Sequence, residues 1–189
     1  MTRIKPLSGP EAPLLLKLLN LLSRRMMGKE MEPVGILAHN PRFLLPYAMT
    51  TFLISGKSQV DPRIRSLSTE LAAHLNGCSW CVDFGRAAAL KDGVSADKLD
   101  HLEEYATSQL FDPRERAALD LAHAITHDIH VPDDVWDTAR RHFSDRELVE
   151  LVVAVAIETF YNRVNGAFDI DSQGFCELPR LARTQEAAA

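Results

Sequence analysis

An all-α fold, a single-domain helical bundle, is predicted for this 189-residue chain by three observations. Helix-start signals recur along its length, strand-like alternation is nearly absent, and the stop signals leave only short connections. Together they divide the chain into about seven or eight helices.

In chain order, the first helical stretch is the apolar run from Leu14 to Leu22. Lys17 and Asn20 interrupt it, Arg24-Arg25 follow it, and no small-residue cleavage site appears, so a secretory signal is not the reading. The run is also too short to span a bilayer. It reads as a partner-seeking or core-docking helix. Asn40-Pro41 and Asp61-Pro62 each set a capping residue before a proline, as at an N-cap and first helical position. Pro46 conflicts with a helix running from Asn40, which must either start later or kink. Asn76-Gly77 and Asp92-Gly93 are C-terminal stops. Ser95 caps a helix through Leu99, Leu102 and Tyr105, and Asp133 or Asp134 caps another through Val135 and Ala139. Asp112-Pro113-Arg114-Glu115 and Ser144-Asp145-Arg146-Glu147 are capping boxes, the second opening a long apolar helix to about Arg163. Residues 1–13 and 179–189 read as loosely attached tails around a domain spanning 14–178.

Composition is that of an ordinary water-facing domain, 46% hydrophobic and 25% charged, and 189 residues suffice for one core. A net charge of −5, with Arg24-Arg25 and Arg140-Arg141 isolated, argues against nucleic acid or an anionic membrane as partner. Three cysteines are too few for a secreted disulfide scaffold, and a CxxC in such a chain points to a reducing cytoplasm.

Two of those cysteines form the CxxC of Asn76-Gly77-Cys78-Ser79-Trp80-Cys81. This spacing suits a reversible disulfide or half a metal site, and the absence of a second CxxC or a His-x₃₋₅-His partner weakens structural zinc. Gly77 ends one helix, so Cys78 falls at the start of the next, where free N–H groups and the helix dipole stabilise a thiolate. Cys81 lies one turn on, and Gly85 and Ala88 continue that face with small residues. Two cysteines serving only as small buried hydrophobes are the bland alternative.

Three segments resemble the carboxymuconolactone decarboxylase/AhpD-like alkylhydroperoxidase superfamily. They are Ile64–Asp83, Pro33–Pro41 and Phe160–Asn165, the last two being similar to its longer peroxidase-related members. The resemblance covers roughly residues 24 to 176. It implies an all-helical fold, a homo-oligomer, and thiol peroxidase chemistry in which Cys81 attacks a small hydroperoxide and Cys78 resolves it as a disulfide. It also implies reduction by a lipoylated or thioredoxin-like donor. Two positions depart from the pattern: Ser66 stands where the family has a Glu, and Gly85 where it has a His.

Ser66, Glu70 and His74 are spaced by four, so Glu70 and His74 address the same region as a Glu at 66 would. A carboxylate beside an imidazole is a base pair suited to a thiol; an i, i+4 polar pair on a solvated face is the bland reading. Glu158, among Val152, Val153, Val155, Ala156 and Ile157, reads as a buried structural carboxylate with Arg163, or the same residue of a neighbouring subunit, as its partner. His123, His127 and His130 have metal-like spacing but stand near a helix end, where imidazolium is favoured without any metal. Gly56-Lys57-Ser58 is not a P-loop. Trp80 reads as a shield for the cysteine pair. No cofactor and no bound metal are called for.

The sequence therefore predicts a thiol-dependent hydroperoxide reductase, with Cys81, Cys78, Glu70 and His74 as site residues. A non-catalytic redox sensor or thiol-disulfide module is the first alternative. A lactone decarboxylase-like enzyme is the second, against which the vicinal dithiol argues.

Overall fold

The computed structural model describes residues 2–10, 12–54, 56–128 and 130–177. Among these residues there are nine α-helices, two 3₁₀ turns and no strand. The helices are α1 Leu14–Met27, α2 Glu32–Leu37, α3 Leu44–Ile54, α4 Pro62–Leu75 and α5 Ser79–Lys91, followed by α6 Ala96–Asp100, α7 Pro113–His127, α8 Asp133–His142 and α9 Asp145–Ala167.

The start signals act through the expected atoms. Asp61 accepts the N–H of Arg63, Ser95 accepts that of Lys98, and both capping boxes close, at Asp112/Glu115 and Ser144/Glu147. Four expectations shift. After Asn40 only a 3₁₀ turn forms, Pro41–Phe43, and α3 starts at Leu44, so Pro46 stands in a first turn where no intrahelical N–H is required. The helix capped by Ser95 stops at Asp100 and resumes as the 3₁₀ turn Leu102–Glu104. Pro132, with no side-chain cap, is the N-cap of α8, and Asp133 and Asp134 lie in its first turn, where carboxylates favour the dipole. Helix α9 runs on to Ala167, past Arg163.

Helix α4 is the central element, packed by α5, α7 and α9 on different sides. Its Leu67 and Leu71 join Leu90, Leu99 and Leu102 in one cluster, while Ile64 joins Leu121, Leu148 and Leu151 in another. Each such leucine, buried from water, contributes about 2 kcal/mol. A helix covered on all sides must bury polar residues too, and α4 buries Ser66, Ser68 and Glu70. The segment read as a loose N-terminal tail is tied to the body where described: Arg3 N–H bonds Phe168 O and Leu7 N–H bonds Gly35 O, both at 3.0 Å. The 179–189 tail lies outside the described residues. Among the described residues, no helix is long and apolar enough to cross a membrane.

Candidate functional site

The site begins where α4 stops. Gly77 takes a positive φ of 65°, a conformation that side chains disfavour, and turns the chain so that Cys78 becomes the N-cap of α5. Cys78 Sγ accepts the N–H of Cys81 at 3.3 Å, as an N-cap side chain does. Cys78 and Cys81 are joined as a disulfide, with Cα atoms 5.2 Å apart. Both are buried, in a cluster with Trp80, Phe175 and Ile170. Trp80 stacks on Phe84 with ring centroids 5.1 Å apart and meets Phe175 edge-on, the shielding position the sequence suggests.

A strap from residues 172–176 closes this side. Asp83 accepts the backbone N–H groups of Gln173, Phe175 and Cys176, each at 2.9 Å. Gln173 in turn accepts from Trp80 Nε1 at 2.7 Å. Cys176 remains a free thiol. Burial, and then the Asp83 carboxylate, push it up to about 11, which makes it a poor nucleophile near neutral pH.

Glu70 and His74 are brought together. His74 Nε2 lies 3.3 Å from Glu70 Oε1, and its Nδ1 lies 3.1 Å from Glu103 Oε1 on the exposed side. Glu70 is buried, and its second oxygen has no hydrogen-bond partner among the described residues. That oxygen lies against Gly85, where a Cβ would collide with it. Burial raises Glu70 despite the opposing pull of His74, and the bond to Glu70 raises His74. Both groups therefore hold protons to higher pH than they would in water. Ser66 takes no part, because its hydroxyl donates to Asp92 at 2.6 Å.

Glu158 differs from expectation. Its partner is Asn162, whose Nδ2 donates to Glu158 Oε1 at 2.6 Å, and Arg163 is exposed. An arginine five residues along α9 points away from Glu158, whereas a residue four along shares its face. Asn162 is held in turn by Asn76, 3.0 Å away. Burial pushes Glu158 up to about 7. Its carboxyl lines a cavity of about 420 Å³ between α1, α2, α3, α4, α5 and α9. The cavity reaches α5 at Phe84, Gly85 and Ala88, one to two turns beyond Cys81, and neither cysteine lines it.

Asn165, which the sequence reading passed over, donates from Nδ2 to Cys81 Sγ at 3.4 Å. Its signal was a polar residue every turn on one face of α9, the carboxyl of Glu158 and the amides of Asn162 and Asn165 at i, i+4 and i+7. His123 and His127 lie side by side with ring centroids 4.7 Å apart and their planes tilted by 40°, and the described residues contain no group of three His, Cys, Asp or Glu side chains that could hold a metal ion.

The carboxymuconolactone decarboxylase family model matches residues 41–124. The uncharacterized protein YnjA of Escherichia coli K12 is 32% identical over 178 residues, covering 93% of this chain and 97% of YnjA. The chain belongs to the carboxymuconolactone decarboxylase family. Solved structures share its fold almost end to end. The debrominase Bmp8 superposes with a TM-score of 0.82 at 21% identity, covering 100% of this chain and 99% of Bmp8. A peroxidase-related protein with an AhpD core from Ralstonia eutropha JMP134 gives 0.79 at 20% identity, covering 93% and 96%. At such identities the likeness is one of fold.

Proposed function

We propose that this protein is a thiol-dependent hydroperoxide reductase. The observation that carries the reading is the Cys78–Cys81 pair at the start of α5, with the buried Glu70 and its partly exposed partner His74 one helix away. In the reduced chain the Cys81 thiolate attacks the terminal oxygen of the hydroperoxide. An S–O bond forms, the O–O bond breaks, and the leaving alkoxide takes a proton from the Glu70–His74 pair to give an alcohol. The Cys78 thiol then attacks the sulfenic acid; the disulfide forms, and hydroxide leaves with the Cys78 proton as water. A lipoylated or thioredoxin-like dithiol returns two electrons and two protons. Glu70 and Gly85 support the substitution of the relay, since the carboxylate occupies the space a side chain at 85 would use.

The test is stopped-flow oxidation of the reduced chain by cumene hydroperoxide between pH 6 and pH 9. Two thiols should be lost per chain, with Cys176 unaffected, and Cys81→Ser should abolish sulfenic acid formation. Glu70→Gln and His74→Gln should each slow the reaction about a hundredfold, the lower end of general acid–base effects. Unchanged rates and pH profiles in both variants would instead favour a redox sensor, a reading to which the burial of both sulfurs lends weight. The lactone decarboxylase reading gives the dithiol no task.

A further inference from the structure

The inward face of α9 sets one amide against the redox pair. Asn165 is fully buried at 0% exposure, its Nδ2 lies 3.4 Å from Cys81 Sγ, and its Oδ1 has no hydrogen-bond partner among the described residues. A disulfide sulfur has no hydrogen to give, so the NH₂ end of the amide must be the one that faces it. Packing does not account for this residue. A leucine fills nearly the same space and leaves no unpaired oxygen, whereas a buried amide with one unsatisfied end is costly to keep.

We infer that Asn165 is a catalytic residue that selects Cys81 as the attacking sulfur, by donating an N–H bond to its thiolate. Without it the advantage lies with Cys78. Cys78 has the helix dipole and the Cys81 N–H at 3.3 Å, both supplied by the backbone. Cys81 has Asn165 as its donor, a side chain with no backbone substitute. Hydrogen bonds to an ionised acceptor are stronger than those to a neutral one, so this contact gains on ionisation and lowers the thiol pKa. The inference deepens the peroxidase reading by naming what activates its nucleophile, yet its first test involves no peroxide.

Cys78→Ser/Cys176→Ser leaves Cys81 as the sole thiol, whose ionisation is followed by thiolate absorbance. Asn165→Leu and the isosteric Asn165→Asp should each raise the Cys81 pKa by about one unit, which is about tenfold less thiolate at neutral pH. The other groups around the pair stay in place: Glu70 and His74 on α4, Asp83 on α5, Glu158 on α9. In the Cys81→Ser chain, Asn165→Leu should leave Cys78 unshifted, a contrast that general loosening would not produce. In the wild-type reduced chain, the Asn165 side-chain NH₂ resonances should titrate together with Cys81, a readout that needs no variant to fold. An unshifted Cys81 pKa in a folded variant, or Asn165 resonances that ignore the titration, overturns the inference. A shifted pKa in a chain that does not react with cumene hydroperoxide upholds the amide's role and removes the peroxidase reading alone.

Discussion

One oxygen of Glu70 stands in the volume that a Cβ on residue 85 would enter. Mid-helix glycine costs about 1 kcal/mol relative to alanine, so its presence in α5 is explained by the carboxylate it admits. Gly85→Ala forces that carboxylate aside, away from the imidazole it holds at 3.3 Å. The clash should outweigh the helix gain, giving a net loss of about 1–2 kcal/mol in denaturant unfolding. It should also lower the His74 pKa, because the bond to Glu70 is the main reason that pKa is raised. In a Glu70→Ala background the same substitution should be neutral or stabilising by up to about 1 kcal/mol. Equal effects in both backgrounds would mean that the two residues are not coupled. The 70/74 pairing was legible in the sequence because i, i+4 residues share a face. The 70/85 fit was not, because it joins two helices whose relative placement no local spacing encodes.

Helix α9 illustrates the same division on a larger scale. Its start at Ser144 could be read from four residues, and its capping box closes as expected. Its interior was legible only in part: the Glu158–Asn162 pair is an i, i+4 contact within the helix, whereas the reach of Asn165 to Cys81 depends on the rotation of α9 against α5. Glu158 carries a consequence for pH. Unfolded, it releases its proton near 4.5; folded, near 7. Between those values the folded chain holds more proton than the unfolded one, so this group's contribution makes stability fall as pH rises through that window and flatten above it. Glu70, raised in the same direction, adds a slope of the same sign, so the comparison must be between two chains. Glu158→Gln keeps an acceptor for Asn162 and cannot ionise. It should lose stability less steeply between pH 4.5 and 7, and exceed the wild type above pH 7 by at most about 3 kcal/mol. Parallel stability curves for the two chains across that range would show that Glu158 ionises as freely when folded as when unfolded.

Across the whole molecule, apolar surface gathers on α1 and α3. Helix α1 docks on the core through one face and leaves the other uncovered. Leu16 is fully buried, while Leu14 and Leu21 are 84% and 64% exposed. On α3, Phe52 and Leu53 are 78% and 71% exposed, a face that no apolar periodicity around Pro46 distinguishes from a core-facing one. Isolated exposed leucines are common on folded domains, whereas neighbouring runs of them on two helices are what a partner would cover, and we propose a second copy of this chain as that partner. The same helices wall the cavity, with Leu22 and Met26 from α1 and Phe52 from α3 among its lining. A homo-oligomer that covers this face would therefore also narrow the entrance to Glu158 and Gly85, joining assembly to the site. Light scattering at micromolar concentration should give a multiple of the 21.1 kDa chain mass. Leu21→Glu with Leu53→Glu, each placing a charge on the exposed apolar face, should return it to a single chain with its helix content intact. A wild-type chain that scatters as a monomer would leave this surface without the partner proposed for it, and the cavity open to solvent along that side.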